Sequence, residues 1–337
     1  MAKKGVLLVN LGTPDSPETK DVRKYLDQFL MDERVIDIPK FNRTLLVKGI
    51  IVPFRSPKTS KLYKEIWGEN GSPLFHYSKI QAKLLQEKLG DEYHVELAMR
   101  YQNPSIESAL LKLKAGLVDS IKVIPLFPQY ASASSGSVLQ LVMELVSKWQ
   151  TIPPISFVSS FHDNEQMIEI FAENGAKYQP ETFDHILFSF HGLPERQLAK
   201  CDHTGNYCLK QKDCCHIYND TNKFCYSAQG HHTASLIAAK MGIAKENYTV
   251  CFQSRLGKEP WVQPYTTDVL KKLAAEGKKR LLVFSPAFVA DCLETLYEIT
   301  VEYHEEFKEL GGEHVQLVES LNDHPKFVEA LAEMAVS

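Results

Sequence analysis

The sequence predicts an α/β protein built from two similar domains, each a parallel β-sheet flanked by helices. Short apolar runs alternate with amphipathic helical patterns, which is typical of parallel strands joined by helical crossovers. At 337 residues the chain exceeds the usual size of a single core. A strand that runs into a proline-punctuated loop also recurs, since VLLVNLGTP is similar to HILFSFHGLP and VIPLFPQY is similar to LLVFSPAF. We therefore predict domains at 1–155 and 156–322 that face each other across a cleft, with a last helix at 323–337 assigned to the first domain.

Composition and charge indicate an ordinary soluble protein. The chain is 44% hydrophobic and 24% charged, with a net charge of −4. The lack of a basic excess argues against a nucleic-acid partner, and no apolar stretch approaches the ~20 residues that span a bilayer. The first residues enter a strand without a signal-peptide pattern. We expect a cytoplasmic protein, in which clustered cysteines bind metal more often than they form disulfides.

The first domain begins with the order of a parallel crossover unit. Residues 6–9 form an apolar strand. Ser16 is predicted to cap the following helix, with Pro17 at the first helical position. Further strands are predicted at 95–98 and 121–126, and helices are predicted at 104–113 and after a small-residue loop at 131–137.

Residues 42–56 allow two interpretations. The segment NRTLLVKGIIVPFRS holds two apolar blocks flanked by Arg43, Lys48 and Arg55. A core helix fits this pattern, and so does an exposed amphipathic lip that contacts a membrane surface.

The second domain repeats the alternation. Strands are predicted around 186–188 and at 248–252, 280–284 and 315–318, and helices around 165–177, 234–241, 265–275 and 292–310. A last helix begins at Pro325 and is predicted to be capped by Asp323. Because the strands are parallel, their carboxyl ends lie at one edge of the sheet, where open α/β folds bind ligands.

The first candidate site residue, His191, lies at such a strand end. Residues 186–188 form a buried run that cannot continue through Gly192 and Pro194. A histidine at this edge is a candidate for proton or metal chemistry, although a lone histidine in a loop also commonly caps a neighbouring helix.

Three acids at four-residue intervals form the second candidate feature. Glu294, Glu298 and Glu302 share one face of the predicted helix. Such a row is often a solvated helix face. Here it begins just after a strand, so it also suits cation passage, and a partly desolvated glutamate beside a histidine suits proton removal.

A cysteine-rich segment forms the third feature. Five of the seven cysteines fall in one short polar stretch, namely Cys201, Cys208, Cys214, Cys215 and Cys225. The CxxC pairs of a zinc knuckle are absent. Thiolates on an irregular loop suit an iron–sulfur cluster, which takes four cysteine ligands, while zinc and free thiols remain alternatives.

Four motifs, LLVNLGTP, SFHGLPER, QSRLGKEPW and DCLETLYE, occur in this order along the chain. With them the chain resembles the ferrochelatase family from about residue 5 to 335. The resemblance implies two Rossmann-like domains with a porphyrin held in the cleft between them. It also implies insertion of ferrous iron into that porphyrin at the end of haem synthesis. Protoporphyrin IX is the expected substrate, and the sequence leaves coproporphyrin open as the alternative.

The resemblance implies site residues at matching positions. His191 is similar to the family's active-site histidine and Glu294 to its paired acid, and Glu298 and Glu302 continue the acidic row that would bind the iron substrate. The positions that would line the porphyrin pocket are Asn10, Leu11, Arg55, Tyr63, Ser72, Arg100, Tyr101, Trp261 and Phe288.

Metal insertion sets clear physical requirements. The pyrrole protons must leave, and apolar walls that distort the ring would stabilise a saddled, transition-state-like shape. Neutral His191 can accept a pyrrole proton or bind iron, and the acids can pass cations or protons.

The chain departs from most members of the family at residues 200–226, which form an insertion. Some bacterial ferrochelatases carry a [2Fe–2S] cluster in such an insertion. Their cysteine pattern is similar to Cys208, Cys214, Cys215 and Cys225, which would leave Cys201 as a spare thiol.

Two other functions share this pattern of elements. One is a cobalt or nickel chelatase that acts on another tetrapyrrole, and the other is a non-catalytic protein that binds a tetrapyrrole or senses redox state. Loss of His191 or Glu294 would favour the second, and both residues are present. The sequence leaves the oligomeric state open.

Overall fold

The computed structural model describes residues 3–255, 257 and 259–337. The chain divides into two compact units. Unit 1 comprises Met1–Phe127, Ala131–Ser160 and Asn322–Ser337, and unit 2 comprises Pro128–Tyr130 and Phe161–Leu321. The predicted boundary was at residue 155.

The strands form two four-stranded parallel sheets, one in each unit. Their bounds are β1 Lys4–Gly12, β2 Tyr93–Tyr101, β3 Ser120–Pro125, β4 Ile155–Phe157, β5 His185–His191, β6 Tyr248–Gln253, β7 Arg280–Phe284 and β8 His314–Leu317. The strand orders are β2-β1-β3-β4 and β6-β5-β7-β8, so the two sheets have the same topology. The prediction of two parallel α/β sheets is confirmed.

Helices join the strands. Their bounds are α1 Thr19–Met31, α2 Lys40–Leu46, α3 Val52–Ile66, α4 Pro73–Leu89, α5 Ile106–Ala115, α6 Ser137–Val146, α7 Glu165–Ala176, α8 Glu195–Ala199, α9 Tyr226–Lys240, α10 Thr266–Ala275, α11 His304–Glu309 and α12 Pro325–Val336. Short 3₁₀ turns lie at Gly90–Glu92, Pro180–Thr182 and Lys245–Asn247. Within the described part of the chain, none of the helices combines the length and apolarity needed to cross a membrane.

The first strand of each unit lies in the interior of its sheet. β1 pairs with β2 and β3, and β5 pairs with β6 and β7, in parallel register. Helices cover both faces of such strands, which explains why Val6–Val9 and Ile186–Phe190 are uninterrupted buried runs rather than alternating patterns.

Wide helical turns with hydrogen bonds to the fifth residue occur at Val47–Ile51, Ser132–Gly136 and Glu294–Tyr303. Such π-helical turns are rare and are frequently found at functional sites. The last two follow β3 and β7, which are equivalent strands of the two sheets. The loop predicted at 131–137 was wrong, because Ser132–Gly136 is the helical lead-in to α6.

Two predicted helix caps were also wrong. α1 begins at Thr19, and the hydroxyl of Ser16 donates to Asp21 over 2.6 Å instead of capping the first turn. At α12 the capping side chain is His324, which accepts from the backbone N–H of Lys326. At α1 the nearby Asp21 accepts from the Ser16 hydroxyl, and at α12 the capping residue lies one position after the predicted one.

Candidate active site

His191 is the last residue of β5, at the carboxyl end of the unit 2 sheet. It pairs in register with Gln253 of β6, and the next amide, that of Gly192, donates to the Gln253 carbonyl over 2.8 Å. The side chain of His191 is partly exposed, whereas Phe190 before it is fully buried. The strand therefore fixes the backbone of His191 and leaves its imidazole at the sheet edge.

Gln253 links this strand end to the acidic row. Its side-chain carbonyl accepts from Ser189 of β5 over 2.6 Å. Its amide donates to the backbone oxygen of Glu294 over 3.1 Å and to the carboxylate of Glu298 over 3.0 Å. The buried side-chain amide of Gln253 thus links β5 and β6 to the beginning of the π-helical stretch. No local sequence pattern indicated this role of Gln253.

Glu298 is firmly held by neutral donors. Besides Gln253, the hydroxyl of Ser254 donates to both of its oxygens, over 2.9 and 2.6 Å, and the hydroxyl of Tyr303 donates over 3.0 Å. Three neutral donors therefore hold this carboxylate, and the single Ser254 proton is shared between its two oxygens. Ser254 adopts a left-handed backbone conformation with φ of 64°, which brings its hydroxyl to Glu298.

Glu302 lies in a different environment on the same helical face. Burial raises the pKa of its carboxyl above the ordinary 4.5, and the negative charges of Glu298 and Glu306 raise it further. A carboxyl of this kind holds a proton at a higher pH than a solvated one does.

The loop after His191 packs closely on its surroundings. A Cβ placed on Gly192 would lie 2.8 Å from the Gln253 carbonyl oxygen and 3.1 Å from the Trp261 ring. Pro194 and Trp261 form an antiparallel bridge. The structure therefore brings His191 and Trp261 into one neighbourhood, while Phe288 lies in a turn after β7 where its amide donates to Ser285.

Tyr226 is a site residue that the sequence analysis missed. It is the first residue of α9 and is buried, which raises its phenol pKa. A hydrogen bond from the backbone of His191 lowers the Tyr226 pKa. The donor of this bond is the amide N–H of His191, because the other backbone polar group, the carbonyl, can only accept. The hydroxyl of Tyr226 therefore fixes the backbone at His191.

In unit 1, several predicted porphyrin-contacting residues are buried and hydrogen-bonded. The amide of Asn10 donates to Ser78 over 3.0 Å, and Ser72, which precedes α4, accepts from Thr13 over 2.9 Å. Tyr63 is buried edge-on against neighbouring aromatic rings. These side chains shape the loops at the strand ends, whereas Leu11 and Arg55 keep accessible surface.

Asp32 joins two other predicted residues. Its carboxylate accepts from Arg100 over 2.6 Å, from the Tyr101 hydroxyl over 2.9 Å and from Ser137 over 2.5 Å. Only 5% of the Asp32 side chain is exposed. Burial, and then the charge of Asp32, raises the pKa of Tyr101. No local motif marks Asp32 as the centre of this network.

The segment at 42–56 lies in one continuous helical run formed by α2, the π-helical turn and α3. Four large apolar side chains project from it with exposures of 57% to 73%, namely Phe41, Leu45, Ile50 and Phe54. Their spacings are four, five and four residues, and the wider π turn accommodates the five-residue step so that all share one face. The structure therefore favours the exposed lip over the core helix.

The cysteine-rich insertion brings its thiols to one pocket of about 240 Å³, which includes space open to solvent. The thiols of Cys208 and Cys215 interact with that of Cys225, and the sulfur atoms of Cys214 and Cys215 are 3.7 Å apart. Adjacent Cys214 and Cys215 both line the pocket, as do Cys201 and Cys225.

Cys225 is the most acidic of these thiols. The thiols of Cys208 and Cys215 lower its pKa to about 3, and the amides of Ser227 and Ala228 at the beginning of α9 lower it further against the cost of burial. Cys201 instead donates to the carbonyl of Gln197 over 3.7 Å. Five cysteines therefore line this pocket, and sulfur ligands are available there for a thiolate-bound group.

The amino-acid sequence matches a known protein family over nearly its whole length. The family model described as Ferrochelatase matches residues 3–337. The ferrochelatase of Legionella pneumophila (strain Paris) is 43% identical over 329 residues, which cover 98% of this chain and 97% of that protein. The ferrochelatase of Bdellovibrio bacteriovorus is 43% identical over 342 residues and is covered completely, as is this chain.

Solved structures of low sequence similarity share the fold. SirB from Bacillus subtilis with Fe3+ matches with a TM-score of 0.53 and 13% identity, covering 99% of this chain and 96% of that one. At this identity the likeness concerns the two-domain architecture alone.

Proposed function

The chain belongs to the ferrochelatase family and is a lyase that inserts ferrous iron into a porphyrin to form haem, and we propose that His191 and Glu294 carry out this insertion. The observation that carries the assignment is the Gln253 side chain, which hydrogen-bonds the backbone of Glu294 from the strand position paired with His191. The identity to ferrochelatases over nearly the whole chain argues against a cobalt or nickel chelatase and against a non-catalytic binding protein.

The roles follow from the environment of each group. The imidazole of His191 accepts a pyrrole proton or binds the entering iron. Glu294 acts with it as the paired acid in the same insertion step. Glu298 and Glu302 continue the path for the cation. Because three neutral donors hold Glu298, it stays in position, while Glu302 has a raised pKa and can exchange a proton.

Replacement of His191 tests this assignment. His191→Ala should reduce anaerobic iron insertion by at least 100-fold, as expected for loss of a proton acceptor. His185→Gln is a matched control, because His185 begins the same strand, about 20 Å from His191 by strand rise. Equal rates for His191→Ala and the unaltered enzyme would reject the assignment.

We propose that protoporphyrin IX is the porphyrin and that Arg55 binds one of its propionates. Arg55 is an exposed cation on α3, and a guanidinium matches a carboxylate with two parallel hydrogen bonds. Asn10, Tyr63, Ser72, Arg100 and Tyr101 would support the ring by holding the loops of unit 1, and Leu11, Trp261 and Phe288 would supply apolar contact.

A substrate comparison tests both parts of this proposal. The enzyme should convert protoporphyrin faster than coproporphyrin, and Arg55→Ala should raise the porphyrin KM while changing kcat little. Lys58→Ala, which removes a neighbouring exposed cation of the same helix, is the control. Faster turnover of coproporphyrin would reject protoporphyrin as the preferred substrate.

We also propose a cytoplasmic location with peripheral contact to the inner membrane through the exposed lip. The four apolar side chains of the lip are exposed, and Lys48 of the same helical run, which also pairs with Asp27 over 3.6 Å, supplies positive charge suited to an anionic bilayer surface. Phe41→Ser with Phe54→Ser should weaken sedimentation with phosphatidylglycerol vesicles. Leu111→Ser with Leu117→Ser, which alters exposed apolar residues elsewhere in unit 1, should leave it unchanged.

The cysteine pocket is proposed to hold a [2Fe–2S] cluster through Cys208, Cys214, Cys215 and Cys225. Support comes from the convergence of these thiols and from the low pKa of Cys225. When bound, such a cluster supplies a thiolate-linked redox centre that also cross-links the polar insertion.

The cluster is tested by its colour and composition. The purified protein should contain two iron and two sulfide ions per chain, and Cys225→Ser should abolish the visible bands. Cys201→Ser should retain them, because Cys201 lines the same pocket but donates to a backbone carbonyl. Stoichiometric zinc in a colourless protein would reject the cluster.

A further inference from the structure

A second group of metal-ligating side chains lies in unit 2 at His162, Asp163 and His232. Each residue offers one ligand atom, and these atoms all lie within 4.8 Å of one another. His162 and Asp163 precede α7, and His232 lies on α9. None of the three belongs to the residues proposed for iron insertion or to the cysteines of the insertion.

The distances suit ligands of a single ion. His162 Nε2 and His232 Nδ1 are 3.2 Å apart, and His162 Nδ1 is 3.9 Å from an Asp163 carboxylate oxygen. One imidazole binds one ion through only one of its two nitrogens, so these two distances do not both join ligand atoms. With one nitrogen from each histidine and one carboxylate oxygen, the three ligand atoms still lie within 4.8 Å of one another, a spacing that one metal ion can bridge.

The hydrogen bonds of the protein leave His162 incompletely satisfied. Its side chain is 4% exposed, and within the described residues its Nδ1 is buried without a hydrogen-bond partner. A buried ring nitrogen without a partner is uncommon and is usually explained by a water molecule or an ion. Burial also lowers the pKa of His162 to about 4, so its imidazole is neutral and able to bind metal at pH 7.

The surrounding structure holds the two rings in place. Tyr218 stacks on His232 with centroids 4.6 Å apart and an interplanar angle of 5°, and it also contacts the His162 ring. The hydroxyl of Thr233 donates to the backbone carbonyl of His162 over 2.6 Å. Because Tyr218 belongs to the cysteine-rich insertion, that insertion also orders this second group.

We propose that His162, Asp163 and His232 form a binding site for a divalent transition metal ion, separate from the residues that insert iron. Two imidazoles and one carboxylate suit Zn²⁺, Co²⁺ or Fe²⁺ rather than Mg²⁺ or Ca²⁺, which prefer oxygen ligands. Asp163 is 55% exposed, so water completes the coordination from the solvent side.

Zinc binding to the purified holoenzyme tests the site. Competition with a chromophoric chelator should reveal one zinc equivalent whose affinity falls at least tenfold in His232→Ala and measurably in Asp163→Asn. These two residues are chosen because His162 is buried and its replacement endangers folding. His185→Gln, another buried histidine of unit 2, should bind zinc as the unaltered protein does.

Thermal unfolding provides a second readout that does not depend on enzyme activity. Zinc should raise the unfolding temperature of the unaltered protein more than that of His232→Ala, because a ligand bound only to the folded state stabilises it. Equal zinc stoichiometry and affinities within twofold for the unaltered protein, His232→Ala and Asp163→Asn would overturn the proposal.

Discussion

Removal of the Tyr226 hydroxyl should slow iron insertion by disturbing the backbone of His191. In Tyr226→Phe the aromatic ring remains, but the His191 amide loses its acceptor. A buried amide left without a partner costs about 1–3 kcal/mol. If this cost falls on the transition state, kcat decreases about 5- to 150-fold, at 1.36 kcal/mol per tenfold.

The assay is anaerobic insertion of ferrous iron, with kcat and KM measured for both substrates. Since Tyr226 is a positioning residue, kcat should fall while the KM for iron changes little, and the pH profile should keep its shape because the Tyr226 pKa is raised far above neutrality. Tyr178→Phe is the matched control, because its hydroxyl donates to Glu319 over 2.8 Å and touches no proposed site residue.

Two outcomes distinguish positioning from simple stability. A lower kcat in Tyr226→Phe, with unfolding free energy reduced by a similar amount in both tyrosine variants, supports positioning of His191. An unchanged kcat accompanied by a loss of unfolding free energy would refute it, because the hydrogen bond would then stabilise only the fold.

Three further predictions concern the same network and its counterpart in unit 1. Gly192→Ala should lower unfolding free energy by about 1–3 kcal/mol in urea titrations and reduce kcat, because the new Cβ would lie 2.8 Å from the Gln253 carbonyl oxygen. Because the pKa of Glu302 is raised, its protonated carboxyl stabilises the folded state at low pH. Unfolding free energy is therefore lost as pH rises from about 4.5 through the raised pKa. Glu302→Gln should flatten this loss in urea midpoints and change nothing at lower pH. Arg100→Leu should cost about 3 kcal/mol of unfolding free energy, since it leaves the buried Asp32 carboxylate without its cation.

Local patterns predicted the two sheets and the position of His191 at the end of a strand. The uninterrupted apolar runs at 6–9 and 186–188 indicated strands buried on both faces, and both lie in the interior of a sheet. The break at Gly192 placed His191 at a strand end, which the structure confirms. Exact helix starts were less predictable, since Ser16 found a closer partner in Asp21 than in a helical amide.

The sequence by itself determined the fold class, the family and the residue types that chemistry requires, because these depend on periodicity and motifs within short segments. Only the tertiary structure decided which groups meet. Gln253 reaches Glu298 across 45 residues, Asp32 collects donors from β2 and α6, and the thiols of the insertion converge on Cys225. Such contacts depend on strand register and helix packing, which bring distant segments together and leave no periodic trace in the chain.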